Sequence, residues 1–272
     1  VEEDAPAWKN SNWVYVAWFL FYFVFFSVLT LGIAIPFFLV SVGLAFSPLA
    51  EKLWRKVSGV RPLRLKSEIE RLGPLFGAVI LGAFDAKMKL SPDINLYIKE
   101  DMSINAFAFG KGTVVLTRGS IELLDDNCLK GLLAHEFGHL AHRDTEAVLL
   151  STVSNFFMSF IMTKLTDRKT RLDSENKGGF FKWLIDILYY LFKAIDFIGE
   201  LILMHTSRRN EYLADAHALK LGFGKELTDV LIEIYSVSFG KPQSVREQLK
   251  STHPDITLRI QRLEAVLYPK EK

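Results

Sequence analysis

The 272-residue chain contains a single cysteine, Cys128, so no disulfide can form within it, and that usage suits a reducing compartment. More telling is the lack of charge at one end: from Asn10 to Ala50 there is no Asp, Glu, Lys or Arg. No basic segment precedes this apolar run, and it is far too long for the core of a cleaved signal peptide. The formal net charge is only +2, and no stripe interleaves basic with aromatic residues, which argues against a nucleic-acid partner. Internal repeats are absent, as is low-complexity sequence beyond the Phe-rich amino-terminal stretch.

What the chain has is hydrophobic mass, 50% of its residues, concentrated in long runs. One helix from Trp13 to Pro48 would be about 54 Å long, well beyond the roughly 30 Å hydrocarbon core of a bilayer. The run is therefore expected to fold as a transmembrane hairpin over residues 13–50, after a tail at 1–12. Gly32 and Pro36 place the turn near Ile33 to Pro36. Lys52, Arg55, Lys56, Arg61, Arg64 and Lys66 follow, against Glu51 alone among the acids, so the positive-inside rule puts that side in the cytosol, against lipid head groups.

Beyond residue 51 the pattern becomes that of a water-facing domain. Ser67 to Leu72 and Leu75 to Lys89 read as helices, then Ile94–Ile98 and Ile104–Phe109 alternate as strands. Gly110-Lys111-Gly112 turns the chain into a third strand, Thr113–Thr117. Two further apolar stretches, 145–164 and 180–204, are expected to be membrane-associated helices, joined by a charged loop from Thr166 to Gly179. In the second of them Lys182, Asp186, Lys193, Asp196 and Glu200 fall within about 40° of one line, so it either lies at the interface or turns a polar stripe to a protein interior.

The chemistry is concentrated at His135-Glu136-Phe137-Gly138-His139. Histidines at i and i+4 project from one side of a helix one turn apart, so both imidazoles can reach one ion while Glu136 reaches a water on it. Leu129, Leu132, Leu133, Phe137 and Leu140 form a packing stripe on the other side, and Asp125-Asp126-Asn127 supplies a capping start. A match of this kind arises by accident about once in a hundred chains of this size, so a third ligand is needed. A catalytic zinc takes three protein ligands and leaves a fourth position for water. Glu211 and Asp215 form a like-charged i, i+4 pair that a nearby cation would stabilise, although Arg208 and Arg209 could instead pair with them on a solvated face.

Asn105-Ala106-Phe107-Ala108, the motif with Leu140-Ala141-His142-Arg143-Asp144 after it, Glu211-Tyr212-Leu213-Ala214-Asp215, and Thr252-His253-Pro254 with Arg259-Ile260 together resemble the HtpX-like heat-shock membrane metalloproteases, relatives of the CAAX prenyl proteases. The resemblance covers almost the whole chain. It implies a mainly α fold with a small β-sheet (α+β): a zincin-like metalloprotease domain over 51–272, interrupted by the membrane-associated helices. It also implies a multi-pass protein of the cell inner membrane, with its catalytic domain facing the cytosol and one zinc ion per chain. The expected activity is hydrolysis of misfolded or unassembled membrane proteins.

Carried over residue by residue, the resemblance makes His135, His139 and Glu211 zinc ligands and Glu136 the general base toward a zinc-activated water. Asp215 would be a proton donor or an orienting partner of a ligand imidazole. His253 or Arg259 would steady the charge developing on the substrate carbonyl, unless His253 is an ordinary loop residue and Arg259 a salt-bridge anchor for the last helix. Asn105 to Ala108 reads either as an internal strand or as an exposed edge that binds substrate backbone. His142, His205 and His217 are expected to be structural. The alternatives are a CAAX-type processing protease, for which four membrane helices are too few, and a non-catalytic zinc-binding scaffold, which would need a fourth protein ligand that Cys128 is badly placed to supply.

Overall fold

A computed structural model describes residues 12–32, 34–175, 178–238 and 256–269. Helices α1 (Trp13–Leu29), α2 (Ala34–Ala45) and α3 (Pro48–Val57) lead into strand β1 (Val60–Pro62) and helix α4 (Lys66–Asp85). Strands β2 (Asn95–Lys99), β3 (Ala106–Phe109) and β4 (Thr113–Thr117) come next. Helices α5 (Arg118–Leu123), α6 (Asp126–His142), α7 (Asp144–Ser174), α8 (Phe180–Lys220), α9 (Gly224–Ser238) and α10 (Ile256–Leu267) complete the described chain. The fold is thus mostly helical with one small sheet, as expected.

The sheet order is β1-β2-β4-β3. β2 and β4 are parallel, with Tyr97 opposite Val115, whereas β1 and β3 run antiparallel to their neighbours, Arg61 opposite Ile98 and Phe107 opposite Val115. Among the described residues β3 is therefore an outermost strand. The Thr117 N–H donates to the Asn105 carbonyl at 3.1 Å, and antiparallel ladders alternate, so residues 107 and 109 direct their backbone polar groups to β4. Ala106 and Ala108 consequently direct theirs to the open edge.

Two apolar clusters divide the molecule. The larger joins one face of the sheet to α4, α6, α9 and α10 through Leu72, Val79, Ile98, Val114, Leu116, Leu133, Phe137, Leu227 and Leu263. The second joins α1 and α2 to α7 and α8 through Tyr22, Phe26, Phe38, Met158 and Phe192. Full burial of Phe137 contributes about 3 kcal/mol to the first. Helices α6 and α8 approach closely because Gly138 faces Ala214, whose Cα would lie 2.7 Å from any Cβ added there.

Several element boundaries differ from expectation. The hairpin turn lies at Thr30–Gly32, where Leu31 and Gly32 take φ of 52° and 89°, and Pro36 sits in the first turn of α2, where its missing N–H costs nothing. A single helix, α4, replaces the two expected around Pro74, since Leu72, Leu75, Val79 and Ala83 keep one continuous buried stripe. The expected loop from Thr166 is mostly helix: α7 runs to Ser174, held by Arg171–Glu175 at 2.9 Å and by cross-links from its Lys169 and Asp173 to Asp186 and Lys182 of α8. Helix α8 continues unbroken to Lys220 and carries Glu211. Among the described residues no helix is long and apolar enough to cross a membrane.

Candidate metal centre

Helix α6 starts at Asp125, whose carboxylate accepts the backbone N–H of Cys128 at 2.7 Å. It ends at Arg143 in the left-handed region, with φ 61°, and α7 starts at once. The sequence suggests one packed face and one face presenting ligands, but α6 is buried nearly all round, because α8 covers the ligand side. His135, Glu136 and Glu211 are each only 5% exposed.

His135, His139 and Glu211 offer three donor atoms within 4.8 Å of one another. The His135 Nε2 lies 3.5 Å from Glu211 Oε2 and the His139 Nε2 lies 3.6 Å from Glu211 Oε1. Donors bound to a tetrahedral zinc at about 2.0–2.1 Å are about 3.3–3.4 Å apart, so each imidazole stands within a few tenths of an ångström of that spacing from its nearer Glu211 oxygen, and the three donors together span no more than 4.8 Å. The donor chemistry fits as well, since each imidazole has its other nitrogen taken. His135 Nδ1 is 2.9 Å from Asp215 Oδ1, and His139 Nδ1 is 2.9 Å from Asp144 Oδ2. Carboxylates at both Nδ1 atoms fix the tautomer and turn both Nε2 lone pairs inward.

Arg259 closes the centre from α10. Its Nε and Nη2 donate to the two oxygens of Asp215 at 2.8 and 2.6 Å, and its Nη1 lies 3.0 Å from Glu211 Oε2. Nη2 also lies 3.3 Å from His135 Nδ1. Burial alone would push the Asp215 carboxyl up, but Arg259 and His135 hold it below its ordinary value, so it stays ionised. Burial likewise opposes protonation of His139, yet the bonds to Asp144 and Glu211 carry its pKa well above the usual imidazole value. The pocket is thus electrostatically set for a cation.

The structure brings together His135, Glu136, His139, Glu211, Asp215 and Arg259. It puts Asn105 to Ala108 at the outer strand of the sheet, against which α6 packs. His253 lies outside the described residues. His142 and His217 meet edge to face at 4.2 Å. Asp144 was not anticipated in any role. The signal for it was an acid two residues past the end of the motif helix, at the first position of the next.

Comparison with known proteins decides the family. Residues 78–267 match peptidase family M48. The chain belongs to that family. Among curated relatives it is similar to a "Protease HtpX homolog" of Dictyoglomus thermophilum, at 32% identity over 63% of this chain and 63% of the relative. A second, from Dictyoglomus turgidum, is 27% identical over 94% of this chain and 91% of its own. The chain thus spans just under two thirds of the first of these relatives. The crystal structure of S. mikatae Ste24p superposes with a TM-score of 0.56 at 20% identity, covering 92% of this chain and 62% of that one, which establishes a shared fold.

Proposed function

We propose that this chain is a membrane-bound, zinc-dependent endopeptidase that hydrolyses misfolded or unassembled membrane proteins, with its catalytic domain facing the cytosol. The observation that carries the reading is the triangle of His135, His139 and Glu211 with buried Glu136 beside it on the same helix. These three residues would hold zinc, which when bound acts as a Lewis acid toward a water molecule and the scissile carbonyl. Glu136 then accepts the water's proton and returns it to the leaving amine. Asp215, kept ionised by Arg259, orients His135 rather than donating a proton, and Asp144 does the same for His139. The guanidinium of Arg259 adds positive charge near the oxygen on which negative charge develops. The open backbone groups of Ala106 and Ala108 bind substrate as an added strand, with little demand on its sequence.

Bilayer association is supported by the apolar side chains that α1 and α8 leave exposed, among them Leu20, Val24, Val28, Trp183, Tyr190 and Phe197. Basic residues on α3, immediately after the hairpin, support the cytosolic assignment. The test is degradation of casein and of a model membrane protein by the detergent-purified chain, with and without chelator, beside Glu136→Gln. Loss of about 100-fold or more in both altered samples is expected. Equal turnover in all three would refute the assignment.

A further inference from the structure

The outermost strand carries an aromatic surface that the hydrolytic chemistry does not use. Ala106 and Ala108 turn toward the core, whereas Phe107 and Phe109 project from the opposite face and are half-buried. Helix α3 crosses that face. Its Arg55 lies 5.1 Å from the ring centre of Tyr97 on β2 and donates to the Thr113 hydroxyl on β4 at 2.9 Å. Trp54, one residue earlier, stacks on Phe109 at 4.0 Å and 8° and meets Phe107 edge-on at 5.6 Å. The indole therefore stands over the last strand, next to the open edge, with Leu53 and Val57 exposed on the same helix.

We propose that Trp54, Phe107 and Phe109 form a specificity shelf for apolar or aromatic side chains, received from an extended substrate at two positions separated by one residue. This rests on the reading that substrate adds to β3 as a strand. Residues directly opposite one another on neighbouring strands share a face of the sheet. Substrate residues opposite Phe107 and Phe109 therefore lie on the shelf, and those opposite Ala106 and Ala108 point to the side of α6. Backbone bonds to Ala106 and Ala108 make binding tolerant, and the shelf adds a preference for segments with hydrophobic residues at alternate positions. Charged side chains there would lose solvation without gaining a partner.

The test uses the zinc-loaded full chain in detergent and two peptides that share a cleavage site, one with Phe at both shelf positions and one with Ser. The positions are first located by mass spectrometry of a digested peptide mixture, which is expected to show Phe, Leu, Met or Trp at two sites separated by one. Trp54→Ala should lower kcat/KM for the Phe peptide about tenfold, mainly through KM, and leave the Ser peptide unchanged. Phe107→Thr, which suits a strand, should act in the same direction, and Trp54→Phe should restore most of the preference. Equal losses on both peptides, or no loss on either, would overturn the shelf. N-methylation of alternate substrate amides separates the two ideas. If it leaves cleavage by the parent unaffected, the added-strand reading fails; if it stops cleavage while the peptide preference survives Trp54→Ala and Phe107→Thr, only the shelf fails.

Discussion

Asp144 and Asp215 hold the imidazoles of the two candidate ligands from opposite ends of the site, each with a carboxylate oxygen 2.9 Å from an Nδ1. Such partners orient the ring and raise its basicity toward a metal, and their loss commonly costs 10–100-fold in metal affinity. Asp144→Asn, made in the inactive Glu136→Gln background, should weaken zinc binding by about that factor when measured by competition with a coloured chelator. An unchanged affinity would make Asp144 a helix-start residue only. The two histidines were legible in the sequence because the demands of a helix and of an ion coincide in their spacing, whereas Glu211 stood out only as one acid of an i, i+4 pair and took its role from the family pattern. Asp144 was not legible, because its direction depends on the left-handed turn at Arg143, which the five-residue separation from His139 does not reveal. Arg259 was legible only through the family pattern, since its contact with Asp215 spans 44 positions.

The first helix of the hairpin reaches the metal centre through its start. The Asn12 amide donates to the His142 carbonyl at the end of α6, at 2.7 Å, and its oxygen accepts from the Asn210 amide, the neighbour of Glu211 on α8, at 2.9 Å. Tyr15, one turn on, is buried against Ser207 and faces Asp144 and Glu211. Trp18 fills the notch at Gly199, where a Cβ would come within 2.3 Å of the indole, so α1 cannot slide along α8 without losing that fit. Asn12 thus bridges the two helices that carry the candidate ligands. Asn12→Ala should lower zinc affinity several-fold with secondary structure retained, because two hydrogen bonds worth about 1 kcal/mol each are lost. If affinity is unchanged and only membrane retention falls, α1 acts as an anchor alone. The apolar run announced the hairpin, but its docking was not readable, since Asn12 lies just outside any periodic pattern.

Considered whole, the molecule has one apolar cluster around the sheet and another among α1, α2, α7 and α8, and a charged network links β1, α4 and α5 beside the first. There Glu68, 5% exposed, receives Arg61 at 2.6 Å and Arg118 at 3.0 Å, while Glu100 bridges the same two guanidinium groups at 2.7 and 2.9 Å. Glu68 also accepts the backbone N–H groups of Arg64 and Leu65 at 3.3 Å, so one carboxylate ties β1, α4 and α5 together. The sequence showed these residues only as scattered charges, because their convergence requires the sheet order. Arg61 first, and then Arg118, hold the Glu68 pKa well below its ordinary value against the opposing effect of burial. A carboxylate whose folded pKa is depressed contributes stability that is fully present above the unfolded value, about 4.3, and is lost as pH falls through the folded one. Glu68→Gln should therefore cost about 1–2 kcal/mol at pH 7, where two half-buried guanidinium groups lose one carboxylate partner and keep Glu100. The stability gap between parent and variant, followed by denaturant unfolding in mild detergent, should narrow as pH drops below about 4. A gap that stays constant from pH 7 to pH 3 would mean that Glu68 acts by packing and hydrogen bonding and not through its charge.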